Sequence, residues 1–206
     1  MARPSVAQAR RRQILEATIR CIAGHGMSGA SLDRIAEEAG MARGHVRHFA
    51  GNRDDILAAA AVLLYFGEVP EPGADMGATG HPGSFFPSPD TTVDGALEYL
   101  FGEFAEPDAT NIAALAFVDA GRTNPDLHAV VVSAYASAES ELVAALSAAY
   151  PAARPDDVER TAKGVMSIAI GNVFMSDLEV SAERTRLARA SAELLIAALA
   201  RIPESA

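Results

Sequence analysis

The chain has 206 residues, half of them apolar and 21% charged, and its 27 acidic against 17 basic side chains leave a formal net charge of −10. This suits a globular protein of one or two domains with a real core and excludes a disordered chain. A single cysteine, Cys21, excludes an internal disulfide and a cysteine-built zinc site. The longest apolar run, residues 56–66, is too short to cross a bilayer. No apolar stretch backs the N-terminal arginines, so no secretory signal is expected and a cytoplasmic location is. Few aromatics, no Trp and many alanines favour helix over strand.

The charge is uneven. Residues 1–66 hold nine arginines against six acids, a net of +3, while residues 67–206 carry a net of −13. A basic head on an acidic body predicts that the head alone meets a polyanion.

The first predicted helix covers about 6–23, with Ile14, Thr18, Cys21, Ile22 and His25 at helical spacing, and Gly24 and Gly26 end it. Cys21 reads as a small core residue and His25 as a helix-end packing group. The second starts at Ser31, an N-cap, with Asp33 in the first turn and an apolar face of Leu32, Ile35, Ala36 and Ala39; Gly40 stops it. The third covers 42–49, about 12 Å long at 1.5 Å per residue. Ala42, Val46 and Phe49 are expected inward, Arg43 and Arg47 outward, with Gly44, His45 and His48 beside them. Asn52 caps a fourth helix that runs to about 66, with Asp54 and Asp55 in its first turn.

Residues 67–90 contain ten Gly or Pro among 24, which forbids a regular helix. Loops of this length are usually functional or disordered. Phe85 and Phe86 are expected to tuck back onto the body, and the loop to gate a ligand. Five more helices are predicted, at about 92–105, 109–122, 126–149, 155–177 and 181–202, with Pro125 and Pro155 at favourable starts. The last two carry more apolar surface than one core needs, Leu187, Leu194, Leu195, Ala198 and Ile202 among it. Gly164 and Gly171 would let a second backbone approach, or serve plain core packing.

Two helices joined by a tight Gly turn, the second exposing Arg and His, make a helix-turn-helix, whose second helix fits the DNA major groove. Arg pairs bidentately with guanine, and Gly44 allows close approach. Arg53 and the run Arg10, Arg11 and Arg12 are placed to hold phosphates, Arg53 with help from backbone N–H groups at the start of its helix. His45 and His48 at i, i+3 could ligate a metal, but no third ligand is near, and no metal or cofactor is expected. No G-x-S-x-G, H-E-x-x-H or phosphate-cradling loop supports an enzyme.

The stretch RRRQILEATIRCIAGHGMSGASLDRIAEEAGMARGHVRHFAGNRDDILAAA resembles the N-terminal domain of TetR-family transcriptional regulators. The match includes the ILEA start, Gly26 before a capped helix, the IAEEAGM turn, and a short helix ending in an aromatic before Gly51, Asn52, Arg53 and Asp54. It covers about a quarter of the chain.

The resemblance implies an all-α fold. A three-helix DNA-binding domain at 1–53 is followed by a helical effector-binding and dimerisation domain at 54–206. It implies a homodimer, expected through 155–177 and 181–202, that binds a palindromic operator and is released by a small-molecule effector. The DNA-facing set is Arg43, Gly44, His45, Arg47, His48 and Arg53, with Ser31 and Arg34. Arg47 stands where the family usually has Tyr, and Arg53 where it usually has Lys. Phe104, Phe117, Met166, Ser167, Ile170 and Phe174 are the expected ligand-pocket residues. Asn172 is a further pocket candidate, as a polar residue in an apolar helix, unless it is exposed or bonded to the helix backbone. The other readings are an activator, or a helical interaction module of this fold that has lost DNA binding.

Overall fold

A computed structural model describes residues 5–74, 84–88 and 90–200. Among them every regular element is helical: α1 (Val6–Gly29), α2 (Leu32–Glu38), α3 (Arg43–Ala50), α4 (Arg53–Phe66), α5 (Val93–Phe101), a 3-10 turn (Glu103–Ala105), α6 (Ala109–Gly121), α7 (Pro125–Ala149), α8 (Pro155–Leu178) and α9 (Ala182–Leu199). The chain forms two compact units. The first gathers α1–α4, α6 and α7 up to Ala134; the second gathers α5, the 3-10 turn, α7 from Tyr135, α8 and α9. The expected functional division at 53/54 lies inside the first unit.

In the first unit α1 is the central element, packed on α2, α3, α4 and α6. Ser5 and Gln8 close a capping box at its start. Ile14, Leu15, Cys21 and Ile22 are buried. Burial of each large side chain contributes about 1.5–3 kcal/mol. That exceeds the few tenths of a kcal/mol that Ile and Thr give up in helix propensity. The buried Thr18 hydroxyl donates to the Ile14 carbonyl at 2.8 Å, so no polar atom is stranded. The helix does not stop at Ala23. It continues to Gly26, whose φ of 69° breaks the geometry, and one more helical turn follows to Gly29. Burial pushes the pKa of the Cys21 thiol up, with Glu38 adding to the shift.

α2 begins where Ser31 accepts the Arg34 N–H. It ends in a Schellman motif: Gly40, at φ 62°, donates to the Glu37 carbonyl and Met41 to that of Ala36. This left-handed glycine makes the tight turn into α3. The third helix is shifted by one residue from its expected bounds. Ala42 is its exposed N-cap rather than an inward residue, and the face turned inward is Val46 and Ala50 with a half-buried Phe49. The i, i+3, i+4 set 46, 49 and 50 replaces the expected 42, 46 and 49.

The second unit buries Leu100, Leu142, Leu146, Ala162, Val165 and Ala169. α8 packs on α9 and on the 3-10 turn, and α5 packs on α9. The helix expected over 92–105 is split at Gly102. A Cβ there would come within 2.5 Å of the Glu98 carbonyl oxygen, so only glycine fits the reversal. The middle of the 67–90 segment and Ile202 lie outside the described residues.

Side-chain donors on helix-end carbonyls hold the head together. Carbonyls in the last turn of a helix have no intrahelical partner and sit at the negative end of its dipole. Arg11 donates from Nη1 to Phe49 O at 3.0 Å, and Gln13 donates to Ala39 O at 2.8 Å. Arg53 donates from Nε to Ala30 O at 2.9 Å and from Nη2 to Met27 O. Arg34 reaches Gly29 O at 3.2 Å, and Arg12 reaches Gly67 O at 3.1 Å. These contacts tie α1 to the ends of α2, α3 and α4, and α4 back to the turn before α2. Arg53→Ala therefore lowers stability to urea by about 1.5–3 kcal/mol, the value of hydrogen bonds from a charged donor. Arg47→Ala, at a site without such contacts, stays within about 0.5 kcal/mol of the parent. Equal stabilities for the two variants would contradict this role of Arg53.

Candidate nucleic-acid interface

The outward face of α3 carries Arg43, Gly44, His45, Arg47 and His48, all exposed. The helix is held from behind by the buried Val46 and Ala50 and by Arg11 on the Phe49 carbonyl. The polar face is thus presented by a fixed scaffold. Nothing lies within 4 Å of where a Gly44 Cβ would stand, so the surface is flat there and a duplex backbone could come close.

The arginines of the head fall into three groups. Arg11, Arg12, Arg34 and Arg53 hold carbonyls, as described. Arg10, Arg20 and Arg43 hold side chains. Arg10 donates to Gln13 at 2.9 Å, Arg20 pairs with Glu38 at 2.7 Å, and Nη1 of Arg43 lies 2.9 Å from both Asp33 carboxylate oxygens. Arg47 alone among the described arginines of the head has no side-chain hydrogen bond or ion pair. Exposed pairs contribute only about 0.2–1 kcal/mol, so Arg43 is released from Asp33 at small cost. Arg11 is not released in this way: it is 4% exposed, and burial lowers its pKa while the carboxylates of Glu71 and Asp55 oppose that shift.

Three expectations change accordingly. Arg53 was expected to hold a phosphate, but its guanidinium is occupied by the Met27 and Ala30 carbonyls. The N–H groups at the start of α4 are not offered to an anion either. Asn52 accepts from Asp54 N and Asp55 N, and Asp55 accepts from Asn52 N. Arg11 in the basic run is an internal pin rather than a surface cation. Ser31 uses its hydroxyl as the α2 cap and Arg34 reaches back to Gly29, though both are exposed beside α3.

One feature was not visible in the composition of the motif. The N-terminus of α3 has no side-chain cap, since Ala42 cannot accept a hydrogen bond, whereas Ser5, Ser31 and Asn52 cap α1, α2 and α4. An uncapped, exposed helix start with the positive end of its dipole suits a phosphate. The alanine at the cap position was the signal. Arg47 and His48 also border a cavity of about 400 Å³ shared with Asp54, Asp55 and Asp126.

The expected pocket residues have different surroundings. Phe117 is fully buried in α6, in the first unit, whereas the other five belong to the second. Ser167 is exposed and donates to the Lys163 carbonyl at 2.8 Å, the ordinary back-bond of a helical serine. Phe174 is 55% exposed. Phe104 and Met166 are buried and Ile170 is half-buried. Asn172 is buried, but a reciprocal pair of hydrogen bonds with Thr185 on α9 satisfies it. Instead, four aromatic side chains of this unit, Phe86, Tyr99, Phe104 and Tyr135, gather around Phe85.

Residues 14–60 match the family model described as bacterial regulatory proteins, tetR family. The HTH-type transcriptional regulator PksA of Bacillus subtilis is 49% identical over 55 residues, 27% of each chain. The HTH-type transcriptional repressor AcnR of Corynebacterium glutamicum is 39% identical over 51 residues, 25% of this chain and 27% of that one. The alignment thus spans about a quarter of these curated relatives. For the whole chain, a TetR transcription regulator from Haloarcula marismortui superposes with a TM-score of 0.72 at 20% identity, over 93% of this chain and 98% of that one. Such a likeness carries the fold: an N-terminal helix-turn-helix head and a helical C-terminal part. In its head, over residues 14–60, the chain is thus similar to the TetR family of bacterial regulatory proteins.

Proposed function

We propose that the chain is a homodimeric transcriptional regulator, a repressor whose two α3 helices read the half-sites of a palindromic operator and which a small molecule releases. The unpartnered Arg47, exposed on a helix that is pinned from behind, carries this reading. It is free to make a bidentate pair with a guanine or to hold a phosphate, with Arg43, His45 and His48 around it. The uncapped start of α3 supplies a further phosphate contact. The net charge of +3 on residues 1–66 attracts the duplex while the acidic remainder discourages binding elsewhere.

A second copy fits the α8–α9 surface. Phe174, Met175 and Leu178 make an exposed stripe on α8, continued by Val180 and by Leu187, Leu194 and Leu195 on α9, with Leu194 72% exposed. Gly171 sits on the same stripe with open space around it. Scattered exposed apolar residues are ordinary, but a contiguous patch of this kind marks an interface. An isologous dimer over this patch presents the two heads with the two-fold symmetry of a palindrome. The effector acts by preferring the state with lower operator affinity, a coupling of typically about 1–3 kcal/mol. A cytoplasmic location belongs to this reading.

Fluorescence anisotropy against DNA from upstream of its own gene tests it. The parent binds tightly, and its affinity falls steeply as salt rises, because phosphate contacts release counterions. Arg47→Ala weakens binding by about 1–3 kcal/mol if it loses a base contact, or flattens the salt dependence by about one counterion if it loses a phosphate. A folded dimer that binds neither this DNA nor any duplex selected from random sequence would favour the interaction-module reading. Leu194→Glu converts the dimer to monomer by light scattering. A dimer unaffected by that change would place the interface elsewhere.

A further inference from the structure

Residues 84–86 have no regular secondary structure, yet they enter the interior of the second unit. The Phe85 and Phe86 rings are 7% and 2% exposed. The Phe85 ring stands 5.6 Å from Phe86, 5.6 Å from Phe104, 6.1 Å from Tyr99 and 6.3 Å from Tyr135, mostly edge to face. Three donors of the same strap converge on one carboxylate of α7. Ser84 Oγ–H, Phe85 N–H (2.9 Å) and Phe86 N–H (3.3 Å) all donate to Glu141.

This is the chemistry of a bound ligand, supplied by the chain itself: a flat ring in a ring-lined site, with N–H donors on an acid at its rim. The match is incomplete in one respect. No cation among the described residues pairs with Glu141, and every donor it receives is neutral. A cationic fork adds to such bonds an ion pair and the bidentate geometry that three separate neutral donors lack. A cation beside Tyr and Phe faces also gains from the ring quadrupole. Residues 84–86 lie outside every helix, so the strap can withdraw without unwinding α5, α7 or α8.

We propose that the Phe85 position is a ligand site occupied by the protein's own strap, and that it takes a planar aromatic cation with N–H donors, an aryl amidinium or amine. The ring replaces Phe85, the donors replace those of Ser84, Phe85 and Phe86 on Glu141, and the strap leaves. This rests on, and specifies, the effector in the regulator reading above. Of the expected pocket residues, Phe104 borders this site.

The test uses the full chain without DNA, with benzamidine as probe and benzamide as its neutral, near-isosteric control. Benzamidine binds at least about tenfold tighter than benzamide, and it accelerates hydrogen exchange at the Phe85 and Phe86 amides as the strap is displaced. Glu141→Gln removes the preference for the charged probe. Phe85→Ala, which removes the internal competitor, tightens benzamidine binding by at least about tenfold. If Phe85→Ala does not fold, the exchange experiment on the parent and the Glu141→Gln titration still decide. Benzamidine that fails to bind, binds without faster exchange at residues 85 and 86, or keeps its preference in Glu141→Gln overturns the site. Operator affinity is read separately. A displaced strap with unchanged operator affinity keeps the site and removes its effector role, whereas salt-sensitive operator binding without benzamidine binding overturns the site and leaves the regulator intact.

Discussion

A helix of eight residues cannot hold its own shape in water, and everything expected of α3 depends on how it is held. Its apolar contribution is small: Val46, Ala50 and part of Phe49. The rest comes from side-chain donors that cross from other helices onto carbonyls at helix ends. Arg11 fixes the end of α3, Gln13 the end of α2, and Arg53 the turn between α1 and α2. A cation is well suited to this work, since the carbonyls it meets are unpaired and lie at the negative pole of a helix dipole. Desolvation opposes the arrangement most at Arg11, and the nearby carboxylates of Glu71 and Asp55 offset part of it.

The basic character of the head therefore serves two ends. Some arginines build the scaffold and are unavailable to a polyanion. Others lie on the surface in weak, exposed pairs that a phosphate can outcompete. Arg47 stands apart from both groups. A residue count treats all of them alike, so the net charge of the head overstates the number of cations free to meet DNA.

Local chemistry was legible in the sequence. Ser31 as a cap, Gly40 as a left-handed stop and Asn52 with Asp54 and Asp55 at the start of α4 depend on neighbours within a few positions, and each is where its pattern placed it. The roles of Arg11 and Arg53 were not legible, because their partners lie 38, 23 and 26 residues away. The outward turn of Ala42 was missed because a three-residue apolar set fits two registers of a short helix equally well. In the second unit the residue types were right for an aromatic interior, but helix periodicity cannot say which of several apolar faces meets which. Phe174 turned out to face outward and Phe117 to belong to a different core. The strap at 84–86 was expected to fold back; that Glu141 receives it could not be read from a glutamate in a long helix.

The division of labour among the arginines is most directly tested by observing their Nε–H resonances in the full chain, free and bound to a duplex selected from random sequence. Arg47 is expected to shift strongly on binding and Arg43 to move as it leaves Asp33, while Arg53, whose Nε–H donates to the Ala30 carbonyl, keeps the position and slow exchange of a bonded group and the buried Arg11 keeps its free-state position. An unchanged Arg47 beside a shifting Arg53 or Arg11 would contradict this division, since the scaffold and the reading surface would then have been exchanged.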